Sequence, residues 1–521
     1  MMGPIKVVEL EGKGRGVVAT ADMAPGDLIM VSDALACLRA PEGARPDGGD
    51  LTDEVLRLRV HTSEWFKYLY DGSCCCSEVS TRAVPDLTRW RELAAVAPAP
   101  TAKEDGGVVA SSSGDAPAGT EQQQQQQQAQ ARPAVGSAAA QLLARKKKAS
   151  SCAEPATQKA AAGASKGFGA RVRGAAGRGA GAGAAGAVGS GLPGGATMAE
   201  ARRASKVVNL NCFGDAHGDR AAAALRGEPV SAHIGVWPEF AMLNHSCSPN
   251  AINYALGSRA LVVRAATHVA AGDEITISYL GRPQLVPVDA RIELLREDYG
   301  FSCECERCTN ELVHMDKLAG LYDELHREVT EDLGPLFLRA KKARDAAGVS
   351  VVRARLRRVM PQLYAAFRKG LMLPMVRNCF VASLYEAFEL QMVAEEVGAQ
   401  LDAADASAAS SAAAQGAGAG GAPPAGGADG DAAALMDDTA AAAHGSALAA
   451  VTKAVAEVSP GSDLHVILAA RRAYALRGTG TALQVAAAEA DAVDAAAARY
   501  GRALQPRTAA LLIELNRTLY D

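Results

Sequence analysis

The chain has 521 residues, enough for two or three domains, with a formal net charge of −4, 49% hydrophobic residues and only 4% aromatic residues. Nothing in this charge requires a polyanionic partner, and we expect neither nucleic acid nor an anionic membrane to be required. The first residues lack the apolar segment of a secretory signal, and no run outside Ala and Gly approaches the roughly 20 apolar residues of a membrane span. We therefore expect an intracellular, non-membrane protein whose clustered cysteines bind metal.

Short strands are predicted over residues 5–38, interrupted by a glycine-rich turn. The motif Gly12-Lys13-Gly14-Arg15-Gly16 separates Val7, Val8 and Leu10 from the apolar residues 17–19. Glycine lets backbone pass close to a ligand without a Cβ clash, so the motif is a candidate binding loop. Judged alone, the motif is better explained as an ordinary hairpin turn.

A helical region and then a long low-complexity segment follow the strands. Residues 51–93 carry apolar side chains at helical spacing. Residues 95–205 are rich in Ala, Gly, Ser and Pro, include the glutamine run 122–128, and are predicted to be a disordered insertion. Basic runs at about 145–148 and 166–178 suggest either a solvated linker, which we favour, or a nucleic-acid-binding segment.

Helices are predicted for the C-terminal part, residues 311–521. Apolar residues recur there at spacings of three and four, and two helices are expected over residues 464–477 and 482–500. An Ala/Gly-rich stretch at residues 403–447 is predicted to be a second disordered loop. Helical pairs of this length are similar to tetratricopeptide units, although the repeat signature is weak.

Two separate cysteine-containing motifs indicate a metal site. Cys303, Cys305 and Cys308 lie within six residues, and structural zinc requires four ligands. Cys247 is the best candidate for the fourth, which would bring two distant segments together. Free thiols are the alternative, but the charged residues between these cysteines argue against it. Three adjacent cysteines at 74–76 and a lone Cys152 predict no second zinc site.

Polar and aromatic residues beside these cysteines are candidate binding residues. Asn244 and His245 follow an apolar stretch, and we expect them at the end of a buried strand, with a capped turn as the simpler alternative. Tyr279 closes a strand-like run, where a tyrosine is usually a core or rim residue. Tyr299 and Phe301 precede the cysteine run. The simpler alternative for both is that they only pack against the metal site.

The five motifs together resemble those of SET-domain protein lysine methyltransferases. They are the glycine-rich turn, Asn211-Cys212-Phe213, Asn244-His245-Ser246-Cys247, the run from Gly272 to Tyr279, and Tyr299-Gly300-Phe301 with the cysteine run. The resemblance is closer to the SMYD-like branch, here without a recognisable MYND finger. It implies an α+β fold: a SET domain over residues 1–310, with small twisted sheets, a knot-like threaded core and a zinc-bound post-SET segment at 299–310, followed by an all-α tetratricopeptide-like domain at 311–521.

The resemblance also implies roles for individual residues. One structural Zn²⁺ and S-adenosyl-L-methionine are the expected cofactors, and a histone or non-histone protein lysine is the expected substrate. The chain would be a monomer of the nucleus or cytoplasm, without direct nucleic-acid binding. A catalytically inactive scaffold that binds protein partners is the alternative. The implied residues are Tyr279 for catalysis; Lys13, Gly14, Arg15, Asn211, Asn244, His245, Tyr279 and Phe301 for the cofactor; Tyr279, Tyr299 and Phe301 for the lysine channel; and Cys247, Cys303, Cys305 and Cys308 for zinc.

Overall fold

Three small β-sheets occupy the N-terminal half of the computed structural model, and packed helices form the C-terminal half. The structure describes residues 1–44, 46–70, 192–215, 218–257, 259–315, 318–369, 372–416 and 438–519. Sheets followed by an all-helical region confirm the predicted fold class. The knot-like threading and the tetratricopeptide-like character of the helices stay predictions.

The strands of the described residues form sheets of four, three and three strands, in the orders β1-β2-β10-β7, β3-β9-β8 and β4-β6-β5. Their inward faces share one core, in which Val17, Ile29 and Ile275 are fully buried. The strands are β1 (Ile5–Leu10), β2 (Gly14–Ala19), β3 (Leu28–Asp33), β4 (Ala36–Pro41), β5 (Cys212–Asp215), β6 (Ser231–Val236), β7 (Asn244–His245), β8 (Ala251–Leu256), β9 (Ala260–Ala265) and β10 (Glu274–Ile277).

The four-stranded sheet brings three of the sequence motifs side by side. Strands β1 and β2 form an antiparallel hairpin in which Leu10 pairs with Gly14, so the glycine-rich motif lies at its turn. Strand β10 pairs antiparallel with β2 and parallel with β7, which aligns Thr276 with Asn244 and Ile277 with His245. Strand β10, which leads to Tyr279, therefore lies between the glycine-rich hairpin and the strand of Asn244 and His245.

A helix begins inside the segment predicted to be disordered at 95–205, so that boundary is wrong. Helix α3 starts with a capping box between Thr197 and Glu200 and buries Val207 and Val208 against α1. Alanine-rich composition hides this helix, because Ala is both a strong helix former and common in low-complexity sequence. The helices of this part are α1 (Gly48–Arg57), α2 (Glu64–Tyr68), α3 (Met198–Asn211) and α4 (Arg220–Arg226).

Helices follow one another from the end of the last sheet to the end of the described chain. Two predicted helices are confirmed, at Asp463–Thr479 and Ala482–Tyr500. The helices are α5 (Val288–Tyr299), α6 (Glu306–Met315), α7 (Ala319–Arg327), α8 (Gly334–Ala343), α9 (Ala346–Lys369), α10 (Pro374–Ser383), α11 (Tyr385–Gly416), α12 (Asp438–Val458), α13 (Asp463–Thr479), α14 (Ala482–Tyr500) and α15 (Pro506–Thr518).

The predicted disordered loop at 403–447 is also wrong at both ends. Helix α11 continues to Gly416, and α12 already begins at Asp438. Alanine runs in both segments extend the helices, for the same reason as in α3. The rest of this loop, most of the insertion, the cysteines at 74–76 and 152, the basic runs and most of the predicted helical segment 51–93 lie outside the described residues.

The helices from Leu318 onward, called here the helical domain, have a core of their own. Tyr322, Phe380 and Phe388 are fully buried in it. Within the described part of the chain, none of the helices has the length and apolar character needed to cross a membrane.

Candidate functional site

The glycine-rich hairpin is shaped by backbone that a larger residue would disturb. Gly12 and Gly14 have φ values of 70° and 71°, in the left-handed region. Gly16 is constrained by space instead, because a Cβ there would lie 2.4 Å from Leu10 Cδ1 and 2.9 Å from Asn244 Nδ2. The hairpin therefore packs directly onto the side chain of Asn244.

Asn244 is fixed by two hydrogen bonds from its side-chain nitrogen. Nδ2 donates to the Arg15 carbonyl at 3.1 Å and to Glu274 Oε1 at 2.8 Å. Both amide hydrogens are thus engaged within the protein, which leaves the side-chain oxygen as the atom available to a ligand. The sequence predicts Asn244 after a buried strand; instead a short 3₁₀ helix, Phe240–Met242, precedes it, and Asn244 is itself in strand β7.

Glu274 organises this corner, a role that the sequence motifs do not assign to it. Its second carboxylate oxygen lies 2.6 Å from Lys13 Nζ, and its backbone carbonyl accepts a hydrogen bond from Asn250 at 2.8 Å. One side chain therefore connects the hairpin turn to Asn244. The motif from Gly272 to Tyr279 contains the signal, because an acidic side chain beside a basic turn favours such a contact.

The ring of His245 is engaged at both nitrogens. The backbone N–H of Tyr279 donates to Nδ1 at 3.0 Å, so the ring proton resides on Nε2, which lies 3.3 Å from Cys247 Sγ. Burial lowers the pKa of His245 to about 3, which keeps the ring neutral at physiological pH. A cofactor contact from His245 would therefore involve its backbone or its ring face.

Four half-buried rings form a closed cluster beside these residues. Tyr279 and Tyr299 have centroids 5.0 Å apart, Tyr299 and Phe301 6.3 Å, Phe301 and His245 6.1 Å, and His245 and Tyr279 5.3 Å. The Tyr299 hydroxyl donates to the Tyr279 carbonyl at 3.2 Å, and the Tyr279 hydroxyl donates to the Leu243 carbonyl at 2.6 Å. The three predicted channel residues thus lie together, and His245 completes the ring of neighbours.

Asn211 lies at the end of helix α3 and binds the chain near Tyr70. Its side-chain nitrogen donates to the Tyr70 carbonyl at 2.6 Å and to the Val207 carbonyl at 2.7 Å, and its oxygen accepts from the Tyr70 N–H at 3.2 Å. The Arg15 guanidinium donates to the Tyr68 carbonyl of the same segment. Asn211 therefore stabilises the same segment, Tyr68 to Tyr70, that Arg15 contacts. The cofactor contact predicted for Asn211 stays a prediction.

The four predicted metal ligands converge, although Cys247 is far from the others in sequence. The sulfurs of Cys247, Cys303, Cys305 and Cys308 all lie within 4.8 Å of one another. The Cys247 and Cys303 sulfurs are 3.9 Å apart. A tetrahedral zinc with Zn–S bonds of about 2.3 Å places its sulfurs about 3.8 Å apart. The cluster therefore fits a four-thiolate zinc site and could hold one metal ion.

The pKa values of the thiols in the cluster shift in opposite directions. Hydrogen bonding from Cys247, Cys303 and Cys308 lowers the pKa of the Cys305 thiol, against the opposing effect of burial. The buried guanidinium of Arg291 adds a donor 3.6 Å from Cys308 Sγ. Hydrogen bonding with Cys303, Cys305 and Cys308 raises the pKa of the Cys247 thiol instead. Thiolates are the form that binds zinc, so metal binding at this cluster would release protons from the thiols that still carry them.

Comparison with known proteins agrees with this geometry. The SET domain family model matches residues 14–280, just over half of the chain. The chain is 36% identical over 100 residues to the histone-lysine N-methyltransferase SMYD3 of Mus musculus, which covers 19% of this chain and 22% of that protein. It is 41% identical over 86 residues to the N-lysine methyltransferase SMYD2-B of Danio rerio (16% and 19%) and 41% over 80 residues to SMYD2 of Rattus norvegicus (15% and 18%).

These matches to curated relatives span only about a fifth of their length, since the covered shares are 22%, 19% and 18%. The family model is broader and includes strand β2 of the hairpin, strand β7 and strand β10. The chain belongs to the SET domain family.

Proposed function

We propose that this chain is an S-adenosylmethionine-dependent protein-lysine methyltransferase. The observation that carries the proposal is the four-ring cluster of His245, Tyr279, Tyr299 and Phe301, which lies between the glycine-rich hairpin sheet and the cysteine cluster. Relatives named as lysine methyltransferases support the same activity.

The aromatic cluster suits a lysine side chain that must lose its proton. Free lysine has a pKa near 10.4, so at neutral pH almost none of it is the neutral amine that can attack a methyl group. Aromatic walls exclude water and so lower the pKa of an enclosed ammonium. Cation–π attraction opposes this by about 0.5–2 kcal/mol. S-adenosylmethionine, when bound, would supply the methyl group, and its positive sulfonium would favour the neutral amine further.

Tyr279 is the residue that we assign to catalysis. Its hydroxyl donates to the Leu243 carbonyl, 2.6 Å away, and a phenolic oxygen that donates can also accept, here from an N–H of the lysine. Tyr299 positions it from the other side through a hydrogen bond to its carbonyl. Tyr279 would therefore orient the amine rather than act as a general base.

The cofactor would bind along the hairpin and strand β7. We assign the backbone of Lys13, Gly14 and Arg15 and the side-chain oxygen of Asn244 to its polar groups. The backbone of His245, the rings of Tyr279 and Phe301, and Asn211 complete the proposed set. The left-handed backbone at Gly14 and the packed Gly16 support this, because both keep side-chain bulk away from the turn.

One structural zinc would be held by Cys247, Cys303, Cys305 and Cys308. It would fix the segment that carries Tyr299 and Phe301 against the Asn244-His245 strand, and so form one wall of the channel. Four thiolates leave no open coordination position, which makes the metal structural and not catalytic.

The proposed substrate is a lysine of a histone or non-histone protein. Two relatives differ in their names on this point, one being a histone-lysine and the other an N-lysine methyltransferase. We further propose that the chain acts as a monomer in the nucleus or cytoplasm, without direct contact to nucleic acid.

Labelled methyl transfer onto a proteome array tests this function, with Tyr279→Phe as the blank. Thermal unfolding with and without S-adenosylmethionine separates an enzyme from an inactive scaffold, since a ligand at 100 times its Kd adds about 2.7 kcal/mol of stability. We expect stabilisation of both forms and label from the wild type alone. Absence of both stabilisation and label would contradict the proposal.

A further inference from the structure

A fully buried charged cluster lies against the cysteines and is not used by the proposed chemistry. It consists of Arg291 of helix α5, Arg307 and Glu311 of helix α6, and Ser383 of helix α10, all of them at most 2% exposed. Arg291 lies 3.0 Å and Arg307 2.8 Å from the carboxylate of Glu311. Charged side chains are almost never fully buried unless they are paired, so this cluster requires an explanation.

The charges within the cluster do not balance. Two guanidinium groups share the single carboxylate of Glu311. The carboxylate of Glu311 therefore neutralises only one of the two guanidiniums. Arg291 also contacts a cysteine of the metal site, since it donates to Cys308 Sγ at 3.6 Å. Arg307 contacts the other cysteine-bearing segment, because it donates to the Cys247 carbonyl at 2.9 Å. The two guanidiniums and one carboxylate have a net charge of 1+, and four thiolates around one Zn²⁺ carry a net charge of 2−, so a bound metal would place negative charge beside the excess positive charge of the cluster.

Ser383 connects this cluster to the helical domain. Its hydroxyl accepts from Arg291 at 2.9 Å and from Arg307 at 2.8 Å, and it lies 3.1 Å from both oxygens of Glu311. It is the last residue of α10, whose neighbour in the fold is α6. One hydroxyl of the helical domain thus completes the charged cluster that borders the metal site.

Two further contacts join residues around the metal site, Ser248 and Gln284, to the end of helix α12. Ser248, next to Cys247, donates to the Glu457 carbonyl at 3.3 Å. Gln284, whose own carbonyl accepts from Arg307 at 2.9 Å, donates through its side chain to the Val458 carbonyl at 3.2 Å. The metal site therefore lies at the junction between the SET domain and the helical domain.

We propose that metal binding at the cysteines and docking of the helical domain are coupled through the Arg291–Arg307–Glu311–Ser383 cluster. This rests on the zinc site put forward under the proposed function. The thiolates of the bound metal balance the positive charge that Glu311 does not neutralise, and the two guanidiniums donate to Ser383 of the docked domain. Such coupling is reciprocal: metal loss weakens docking, and a weakened junction lowers metal affinity by the same factor.

Zinc affinity of the purified full-length chain, measured by competition with a chelator, tests this coupling. Arg291→Met should weaken zinc binding about 10- to 100-fold, the usual effect of losing a partner of a metal ligand. Ser383→Ala removes a hydroxyl that bonds to the two arginines and to Glu311 rather than to a cysteine. It should weaken zinc binding about threefold to tenfold, since one hydrogen bond contributes about 1 kcal/mol.

Matched controls are available inside the helical domain. Arg353 is a buried arginine paired with Glu395 at 2.8 Å, and Thr452 is a buried hydroxyl that donates to the Leu448 carbonyl at 2.7 Å. Arg353→Met and Thr452→Ala should change zinc affinity by less than about twofold, as distant sites do not couple. They control for general loss of stability.

Amide hydrogen exchange reports the other direction of the coupling. Removing zinc from the wild type should increase exchange in α10 before it does so in α14, which contributes no residue to the cluster. A folded Ser383→Ala chain with wild-type zinc affinity, together with unchanged α10 exchange after chelation, would overturn the coupling while leaving the zinc site and the activity intact. A wild-type chain purified without zinc would overturn both the coupling and the proposed metal site.

Discussion

Gly16→Ala tests whether the hairpin and Asn244 form one cofactor-binding surface. The added Cβ would lie 2.4 Å from Leu10 Cδ1 and 2.9 Å from Asn244 Nδ2. The end of the leucine side chain can rotate away. Asn244 can move only by giving up its hydrogen bonds to Arg15 and Glu274, at 3.1 and 2.8 Å.

The size of the effect follows from those two hydrogen bonds. One is neutral and the other is to a carboxylate, so losing both costs about 2–4 kcal/mol at most. If only about 1 kcal/mol of this cost acts on the cofactor-binding position of Asn244, S-adenosylmethionine binding should weaken about fivefold. A cost of about 1.4 kcal/mol should weaken it tenfold. Isothermal titration calorimetry at one temperature measures this directly.

Gly12→Ala is the matched control. Gly12 has a φ of 70°, but a Cβ added there would have no neighbouring atom within 4 Å, so alanine strains the backbone without touching Asn244. Strain of about 1–2 kcal/mol should lower stability while cofactor affinity stays near the wild-type value. Should Gly16→Ala fold and bind the cofactor as tightly as the wild type, Asn244 would not belong to the binding surface.

Three further predictions concern the aromatic cluster, the cysteines and Glu386. Tyr279→Phe should lose most turnover yet bind cofactor almost normally, and should lose about 1 kcal/mol of stability with its hydrogen bond to Leu243, as kinetics, calorimetry and unfolding would measure. Elemental analysis should find about one zinc per chain. Burial raises the pKa of Glu386 to about 7, against about 4.3 in the unfolded chain, so stability should fall by about 3–4 kcal/mol as pH rises through that interval, and Glu386→Gln should remove this dependence.

Each of these has a result that would contradict it. Loss of cofactor binding in a folded Tyr279→Phe chain would make Tyr279 a binding residue. Zero zinc atoms, or two, would refute the four-ligand argument. For Glu386, the exposed Glu64, paired with Lys67 at 3.0 Å, provides a control substitution to Gln, which should leave the pH dependence unchanged. If Glu386→Gln shows the same slope as the wild type over that pH interval, another group is responsible.

The metal cluster can be predicted from the sequence because structural zinc requires four ligands. Three cysteines require a fourth, and Cys247 is the candidate with suitable neighbours. The aromatic residues of the site are predictable only through their position in the motifs. Their closure into a ring with His245 depends on the parallel pairing of β7 with β10, and no local pattern specifies that pairing.

The buried charges cannot be predicted from the sequence. Arg307 lies between cysteines, where a charged residue indicates a segment that is not buried, yet it is only 2% exposed. Its burial depends on Glu311, one helical turn away, and on Ser383, 76 residues away. Helix α3 escapes prediction for a different reason: its alanine-rich composition masks it, although Thr197 and Glu200 form a capping box that gives a local signal.

Tandem mass spectrometry of an acceptor protein, after incubation with the full chain and isotopically labelled S-adenosylmethionine, is the most direct test of the proposed activity. The aromatic cluster and Tyr279 predict labelled methyl groups on lysine ε-amines, and a signal that falls to background with Tyr279→Phe. Label on another residue type, or equal lysine label from the wild type and the Tyr279→Phe chain, would contradict the assignment of this site.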